Sequence, residues 1–535
     1  MIRQGAELIA AGIDVTERAA VCVIGSGCGG ATIAKALAEK GLDVLIVEQG
    51  GYYTYKDFDQ REANMLAKID GGRGLDTSVD MSVQLTYGNN VGGASVHYWA
   101  DSYRVPPDRV AFWEERYGLQ GHGDATLQPH YERIERDHHV TPAEDPYVNT
   151  MNQLLRDTAT KLGWQGAPVP QARLNCNRSG HCMQGCAYNA KQSQIVTHVP
   201  RALELGARLY ADTRAEHLVM DGRAAKGLRC AVVDRGTGLP TGLSVNVEAS
   251  AIVVACGGFE TPAFLLRQDF ADTLPHLGRH FFCNPSVMMH AVFEQEIIQW
   301  RNIPAAWGVE QFRLSRHDRS LGTEVTPLFG EQGTYVEGGY LLMANQLHPG
   351  MLATVLPGLG EDHRRLMRAL PRLGGTIAWI DDAEEGRISV EGGRRRIDVP
   401  LTGGNGRRIR DAWRKGARLL VAAGAKELIF GDAADTRVKT ADLGADPDAS
   451  LDALVDAIDL RPARNVFAVP HPGGGTRMGK GPEDSVVDFE HRVHGTDNVY
   501  VADPSVFPTG PSVDPSEAIM AFSYVAAEHI AQAVG

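Results

Sequence analysis

A histidine stands at the start of a glycine-rich segment near the end of the 535-residue chain. The segment reads HPGGGTRMGKG and begins at His471. Neutral imidazole can accept a proton near neutral pH because its ordinary pKa is about 6.5. The glycines that follow Pro472 would let the ring lie close to a flat surface. A histidine that only stabilises a glycine loop is the alternative, and the segment alone leaves both interpretations open.

Three cysteines lie close together in the segment NCNRSGHCMQGCAYNAKQS. Cys176, Cys182 and Cys186 have the spacing C-x5-C-x3-C. Thiolates this near to one another suit a soft metal site, and three of them without a neighbouring fourth suggest a three-iron cluster. His181 would allow a zinc site instead. A buried loop without metal is the third interpretation.

The first fifty residues contain a pattern typical of a nucleotide site. The stretch AAVCVIGSGCGGATIAKALAEKGLDVLIVEQG predicts a strand, a turn, a helix and a second strand. Gly25, Gly27 and Gly30 form G-x-G-x-x-G, which allows a tight turn, close approach to a pyrophosphate and packing of helix on strand. Glu48 ends the second strand, where an acid can bind ribose hydroxyls. The sequence therefore predicts a dinucleotide, without separating NAD from FAD.

Two further segments have compositions that suit contact with a cofactor. GNNVGGASVHYW contains Gly92, Gly93 and Ser95, which are too small and flexible to form a packed core. Such a stretch suits backbone lying against a cofactor's face or diphosphate. Near the C-terminus, Asp514 and Pro515 precede a long predicted helix, so Asp514 could serve as a helix cap.

The order of these segments resembles the glucose–methanol–choline (GMC) oxidoreductases, which are FAD enzymes. The segments that carry the resemblance are GSGCGG, GGASVH, VVACGGFETPAFLL at 253–266, HPGGGTRMG and YVADPSVFP. The chain departs from the family after ETPAFLL, where RQDFADT replaces the usual Ser-Gly step. The resemblance implies an α/β (α+β) fold, in which a Rossmann-like FAD-binding domain carries a sheet-based substrate domain.

The resemblance also implies a discontinuous domain organisation. The FAD-binding domain would comprise residues 1–110, 195–285 and 462–535, and the substrate domain would comprise 286–461. Residues 111–194 would form a connecting region with the cysteine cluster.

Family membership would give His471 the role of catalytic base, taking a hydroxyl proton while a hydride leaves the carbinol carbon for flavin N5. The second active-site residue of the family is usually His or Asn, and the matching position here is Asp514. A carboxylate at that position could raise the pKa of the imidazole, share its proton or bind a cationic substrate group. A helix cap remains the alternative.

The resemblance supplies the remaining expected FAD contacts. His97 matches a position at which some family members bond a histidine covalently to the flavin, and Asp503 matches an aspartate near the ribityl–pyrophosphate region. Pro515, beside Asp514, is expected at the cofactor as well. The covalent bond to His97 is left open, because other members have a histidine there without it.

The cysteine spacing is similar to that of the bacterial glucose, gluconate and fructose dehydrogenases of this family, which carry a three-iron, four-sulfur cluster beside FAD. We therefore expect FAD, the cluster on Cys176, Cys182 and Cys186, and a dehydrogenase with an external electron acceptor. An alcohol oxidase that produces hydrogen peroxide and a catalytic subunit with an electron-transfer partner are the alternatives. A flavin-binding protein without catalysis is a more distant one.

Composition limits the classes of partner. Hydrophobic residues make up 43% of the chain and charged residues 22%, which is typical of a soluble globular protein. The net charge of −13 argues against nucleic acid as a partner. No apolar run is long enough to span a bilayer, and a cytoplasmic location is expected. The expected substrate is a polar alcohol, either a sugar or an aminosugar.

Overall fold

The computed structural model describes residues 1–313, 339–383, 386–432, 434–465 and 467–535. Within these ranges the chain forms two large sheets, two small two-stranded sheets and surrounding helices. The helices are α1 (Gly5–Ala11), α2 (Cys28–Glu39), α3 (Glu62–Ile69), α4 (Pro107–Tyr117), α5 (Asp124–His138), α6 (Thr150–Lys161), α7 (His198–Glu204), α8 (Gly257–Leu266), α9 (Pro349–Val355), α10 (Gly360–Arg368), α11 (Gly403–Ala422), α12 (Pro447–Ala457) and α13 (Ser516–Val534). None of these helices has the length and apolar character required to cross a bilayer.

The first sheet contains eight strands and is parallel around its centre. Its strands are β1 (Ile2–Arg3), β2 (Val15–Ile24), β3 (Val44–Val47), β8 (Arg208–Tyr210), β9 (Thr213–Asp221), β10 (Ala224–Val233), β11 (Pro240–Val254) and β21 (Val499–Val501). The spatial order is β1-β8-β3-β2-β11-β10-β9, and β21 pairs in parallel with the end of β11. Buried apolar side chains fill the end of β2 and all of β3, as expected for strands covered on both faces. The predicted strand, turn, helix and strand are confirmed as β2, α2 and β3.

The second sheet contains nine strands and is mostly antiparallel. Its strands are β4 (Val83–Leu85), β6 (Gly166–Pro168), β12 (Ser286–Val292), β13 (Trp307–Val309), β14 (Tyr340–Ala344), β15 (Leu373–Ile380), β18 (Glu427–Ile429), β19 (Arg437–Lys439) and β20 (Phe467–Val469). The long helix α11 packs on β12 and β15, where the indole N–H of Trp413 donates to the Met288 carbonyl at 3.2 Å. The two-stranded sheets are β5 (Val140–Pro142) with β7 (Pro170–Ala172), and the hairpin of β16 (Arg387–Glu391) with β17 (Arg394–Asp398).

The fold is the α/β arrangement predicted from the sequence, with a Rossmann-like sheet beside a second, mainly antiparallel sheet. The C-terminal helix α13 packs against α2 and α5. The domain boundaries at 110, 195, 285 and 462 stay a prediction. Part of the predicted substrate domain, residues 314–338, lies outside the described residues.

The first turn of α2 packs against backbone with no room for side chains. A Cβ built on Gly29 would lie 1.8 Å from the carbonyl oxygen of Ala502, just after β21. A Cβ on Gly30 would lie 2.0 Å from the carbonyl oxygen of Gly25. The sequence motif predicted the packing role of Gly30 and missed that of Gly29.

Replacing Gly29 with Ala should destabilise the fold by about 3 kcal/mol, because backbone on both sides of the new methyl group would have to move. Thermal unfolding of the purified protein measures this as a lower Tm. Gly404→Ala is the matched control, since the nearest atom to its Cβ is a side-chain nitrogen of Arg407 at 3.8 Å. Equal Tm values for the two variants would contradict the close packing at Gly29.

Candidate active site

A single large cavity connects the glycine loop after β2 with the His471 segment. Its volume is about 2120 Å³ when the open solvent at its mouth is counted. The predicted site residues that line it are Gly25, Gly27, Glu48, Gly93, Ser95, His97, His471, Asp503, Asp514 and Pro515. Gly30 and Gly92 lie behind this lining and support it.

Ser26 joins the two glycine segments at one end of the cavity. Its hydroxyl donates to Glu48 Oε2 at 2.8 Å and accepts from the backbone N–H of Gly92 at 3.1 Å. The other oxygen of Glu48 accepts from the N–H of Gly50 at 2.9 Å, and burial raises the pKa of this carboxyl. Ser26 was not predicted as a site residue, although a hydroxyl between Gly25 and Gly27 indicates a hydrogen-bonding role in the turn.

The start of α2 leaves donors available to a phosphate. Gly27 precedes the helix and has no side chain to cap the first N–H groups. A Cβ on Gly27 would have only Gly93 within contact, at 3.8 Å from its Cα, so the space beside it belongs to the cavity. Uncapped N–H groups at a helix N-terminus attract phosphate. The glycine cradle and these donors fit the diphosphate of a dinucleotide.

Asp503 ties the end of β21 to the start of α8. Its carboxylate accepts from the N–H of Gly257 at 2.9 Å, from the N–H of Ser505 at 2.9 Å and from the hydroxyl of Thr261. Burial raises the pKa of Asp503. The side chain lines the cavity, and its hydrogen bonds fix the backbone on both sides of that wall.

His97 is a buried, neutral imidazole in the cavity wall. Its Nε2 atom has no hydrogen-bond partner among the described residues, and burial together with the Lys191 cation lowers its pKa to about 3. The buried ammonium of Lys191 donates to the carbonyls of Val96 at 2.6 Å and Tyr98 at 2.9 Å, on either side of His97. Lys191 therefore fixes the loop that presents His97, and sequence reasoning missed it.

The structure does not support the predicted iron–sulfur cluster at the three clustered cysteines. Each sulfur has a different neighbour: the N–H of Arg178 for Cys176, the guanidinium of Arg173 for Cys182 and the N–H of Lys191 for Cys186. Across the described ranges, no group of three or more His, Cys, Asp or Glu side chains could hold a metal ion. The same finding leaves the zinc alternative with His181 unsupported.

The Cys182 segment instead supports the cavity wall. Lys191 donates to the Cys182 carbonyl at 2.7 Å as well as to the loop around His97. Arg173 links Cys182 Sγ to the carbonyl of Trp99, which also lines the cavity. The segment predicted to bind metal thus holds the two backbone stretches together.

His471 lies between two polar partners at the other end of the cavity. Its Nδ1 is 2.8 Å from Oδ1 of Asn284, and its Nε2 is 3.0 Å from Oδ1 of Asp514. The ring packs against Trp379 with 5.0 Å between centroids. The side chains of His471 and Asp514 are only 14% and 8% exposed, so bulk water is largely excluded from the pair. The sequence predicted both His471 and Asp514 as active-site residues, but it did not predict Asn284.

A second carboxyl group lies near this pair. Asp101 lines the same cavity and accepts from the amide of Gln171 at 2.9 Å. Burial, and then the neighbouring charge of Asp514, raise the pKa of Asp101 well above its ordinary value. Asp101 therefore favours its neutral, protonated form beside Asp514.

The second sheet supplies an apolar wall beside His471. Ser286 pairs with Trp379 and Met288 pairs with Ile377 across β12 and β15, and all four side chains line the cavity. Alternate residues of a strand share one face, which explains why these positions point the same way. Further apolar lining comes from Trp99, Met183, Leu347, Met351 and Val355.

Comparison with known proteins is consistent with this architecture. Models of the GMC oxidoreductase family match residues 45–286 and 384–523, which together make up more than half of the chain. A model of Rossmann-like NAD(P)-binding domains matches residues 23–64.

Several characterised and uncharacterised proteins are similar along most of the chain. An uncharacterized GMC-type oxidoreductase of Mycobacterium tuberculosis is 29% identical over 99% of this chain and 78% of its own length. A long-chain-alcohol oxidase of Arabidopsis thaliana is 23% identical over 96% of this chain and 68% of its own. The 6'''-hydroxyparomomycin C oxidase of Streptomyces lividus is 29% identical over 49% of this chain and 52% of its own.

Solved structures share the fold. The pyridoxine 4-oxidase from Mesorbium loti superposes with a TM-score of 0.67 at 18% identity, covering 95% of this chain and 98% of its own. A formate oxidase of Aspergillus oryzae gives a TM-score of 0.69 at 15% identity, with 96% and 98% covered. The chain therefore belongs to the GMC oxidoreductase family and is an FAD-dependent oxidoreductase that acts on CH–OH donors.

Proposed function

We propose that the protein oxidises an alcohol with an apolar chain or ring, bound between FAD and the pair formed by His471 and Asp514. The observation that carries this proposal is the hydrogen-bonded pair, 3.0 Å between Nε2 and Oδ1, at the end of a cavity that continues to the glycine cradle. The pair takes the hydroxyl proton, in the role predicted for His471. When bound, FAD would supply the acceptor for the hydride.

The residues at the glycine end would hold the cofactor. The uncapped N–H groups after Gly27 would suit the diphosphate of FAD. Glu48 lines the cavity, and its carboxylate would bind the hydroxyl groups of a ribose. Gly93, His97 and Pro515 line the cavity farther along, toward His471. Whether His97 is bonded to the flavin stays open.

The wall beside His471 favours an apolar substrate over the sugar or aminosugar expected from the sequence. Met288 and Ile377 present hydrocarbon surface that a sugar's hydroxyl groups could not hydrogen-bond, and Trp379 adds an aromatic ring. Burial of a hydrocarbon chain against this wall stabilises its binding by about 0.8 kcal/mol per CH₂ group. A cationic alcohol is the second candidate, because Asp101 and Asp514 lie together at the polar end.

We infer that molecular oxygen accepts the electrons, which makes the protein an alcohol oxidase. The iron–sulfur prediction was the main reason to expect a dehydrogenase, and the separate environments of Cys176, Cys182 and Cys186 remove it. The long-chain-alcohol oxidase, the 6'''-hydroxyparomomycin C oxidase and the pyridoxine 4-oxidase to which the chain is similar are all oxidases. A dehydrogenase with an external acceptor or a partner subunit is the alternative, and the cytoplasmic location stays a prediction.

Anaerobic mixing of the FAD-loaded protein with 1-octanol, benzyl alcohol, glucose and an aminoglycoside should bleach the visible flavin absorbance with the two apolar alcohols. His471→Gln should slow this bleaching about 100-fold or more, because the proton-accepting pair is broken. His217→Gln, an exposed position on β9, should react at the wild-type rate. If none of the alcohols bleaches the flavin, the proposal fails.

Admitting air to the reduced protein separates the two electron acceptors. An oxidase should regain its oxidised flavin spectrum within one turnover time and release one hydrogen peroxide per alcohol oxidised. Slow recovery in air with fast recovery on adding a quinone would favour the dehydrogenase.

The apolar wall predicts that kcat/KM depends on the length of the alcohol's hydrocarbon chain. For primary n-alcohols, kcat/KM should rise up to about fourfold per added CH₂ until the wall is covered. Met288→Ala should lower kcat/KM about tenfold for the longest alcohols and leave the shortest unchanged, since only a long chain reaches this side chain. The shortest alcohol is the internal control, and an equal loss for all chain lengths would contradict the assignment of the wall.

Gly27→Ala should lower the affinity for FAD about tenfold or more while leaving the apoprotein stable. Its Cβ would meet no protein atom closer than 3.8 Å, so only a ligand in the cradle can clash with it. The measurements are FAD content after purification, FAD titration of the apoprotein and the Tm of the apoprotein. Retention of full FAD affinity would show that the cofactor does not approach Gly27.

A further inference from the structure

Asn284 determines which ring nitrogen of His471 carries a hydrogen. The Asn284 amide donates from Nδ2 to the carbonyl of Ile380 at 2.6 Å. A main-chain carbonyl only accepts, so this bond settles the orientation of the amide and directs Oδ1 at the ring. Oδ1 lies 2.8 Å from Nδ1 of His471 and also only accepts. Nδ1 must therefore be protonated.

The position of Asn284 is itself tightly held. Its φ of 51° lies in the left-handed region, which asparagine adopts more readily than most residues. Its N–H donates to Oδ1 of Asp382 at 2.8 Å, and the side chain is buried. The hydrogen on Nδ1 of His471 is thus fixed by the backbone conformation at Asn284 as well as by the Asn284 side chain.

The other ring nitrogen faces an oxygen that also needs a hydrogen. In a neutral ring with a hydrogen on Nδ1, the Nε2 atom carries only a lone pair. Oδ1 of an ionised Asp514, 3.0 Å away, is likewise only an acceptor. Two acceptors at this distance need a proton between them. With acceptors at both nitrogens, the ring is best satisfied when it carries both protons.

The second oxygen of Asp514 retains its accepting capacity. Oδ2 is itself buried and has no hydrogen-bond partner within the described residues, while Oδ1 keeps a second lone pair beside the Nε2 atom of His471. Asp514 lines the cavity beside His471. The other titratable or charged groups that face the pair are Asp101, Tyr103 and, behind Asp101, Arg173. A substrate hydroxyl entering here meets a carboxylate with a free lone pair and a ring without one.

We propose that Asn284 is a positioning residue that keeps His471 doubly protonated beside the Asp514 carboxylate, and that Asp514 rather than the imidazole accepts the proton of the alcohol. The O–H bond of the alcohol breaks, its electron pair stays on the alcohol oxygen, and the proton forms a new bond to a carboxylate oxygen of Asp514. His471 keeps both of its ring protons, and it stabilises the Asp514 carboxylate until the carboxylate takes the proton of the alcohol. The proton transfer rests on the proposed function, whereas the protonation state of His471 does not.

The protonation state can be measured on the FAD-loaded protein without any alcohol. Protein with ¹⁵N-labelled histidine rings gives nitrogen shifts that distinguish the two neutral tautomers from the doubly protonated ring, and His471→Gln identifies the signal. We expect both nitrogens of His471 to be protonated at neutral pH. Asn284→Ala should give a neutral ring with its hydrogen on Nε2, facing Asp514, and Asp514→Asn should give a neutral ring with its hydrogen on Nδ1. A wild-type ring that is neutral, in either tautomer, would overturn the inference.

The identity of the proton acceptor is tested with the alcohol that reduces the wild-type flavin fastest. Asp514→Asn restores a side chain that the family usually has at this position and should nevertheless slow anaerobic flavin reduction about 100-fold or more. The residual rate should rise with pH, because the ring, now the only base, accepts a proton only in its neutral form. Asp269→Asn, an exposed change of the same chemistry, should not alter the rate.

Flavin reduction by Asp514→Asn at the wild-type rate would return the role of base to His471 and overturn the proposal. If no alcohol reduces the wild-type flavin, the proposed function fails. The ¹⁵N measurement then still supports or overturns the inference about His471, so the two failures can be told apart.

Discussion

The backbone of the first turn of α2 lies directly on the backbone that follows β2 and β21, and the site depends on this contact. Gly29 meets the carbonyl of Ala502, and Gly30 meets that of Gly25. Because no side chain separates them, the turn from β2 to α2 and the segment after β21, which are far apart in sequence, meet at one point. This contact places Asp503 beside the start of α8.

The His471 segment is attached to the same point by further backbone contacts. The N–H of Gly474 donates to the carbonyl of Pro504 at 3.1 Å, and Gly473 exchanges backbone hydrogen bonds with Phe282 at 3.0 Å. A Cβ on Gly258 would lie 2.1 Å from the carbonyl of Pro472. The absence of side chains on the glycines after His471 therefore allows backbone to pack on backbone as well as close approach to a ligand.

The second sheet contributes both the apolar wall and the polar end of the site. The pairing of β12 with β15 presents Met288, Ile377 and Trp379 on one face. Just before β12, the left-handed turn at Asn284 brings its amide under His471. A buried polar group is stable only when it is hydrogen-bonded, so the few polar side chains at this end are paired with one another. The apolar wall excludes water from them and strengthens those bonds.

The cysteine prediction illustrates why spacing along the chain is weak evidence for a metal site. Cys176, Cys182 and Cys186 have the number and spacing of cluster ligands. Metal binding needs the sulfurs to converge, and convergence depends on backbone direction in a segment without regular structure. Here two buried cations, Lys191 and Arg173, are the partners of this segment, and they connect it to the loop that holds His97.

The sequence by itself determined the Rossmann-like nucleotide end, because G-x-G-x-x-G followed by a helix and a strand is a local pattern whose geometry is set within about thirty residues. The motifs around His471, Asp503 and Asp514 also indicated the family and one end of the cavity. Only the tertiary structure decided the rest. Asn284 is 187 residues from His471 along the chain, and the apolar wall comes from strands whose pairing no single segment reveals. Proton positions and substrate preference depend on contacts between such distant residues, since hydrogen bonding and burial are properties of neighbours in space.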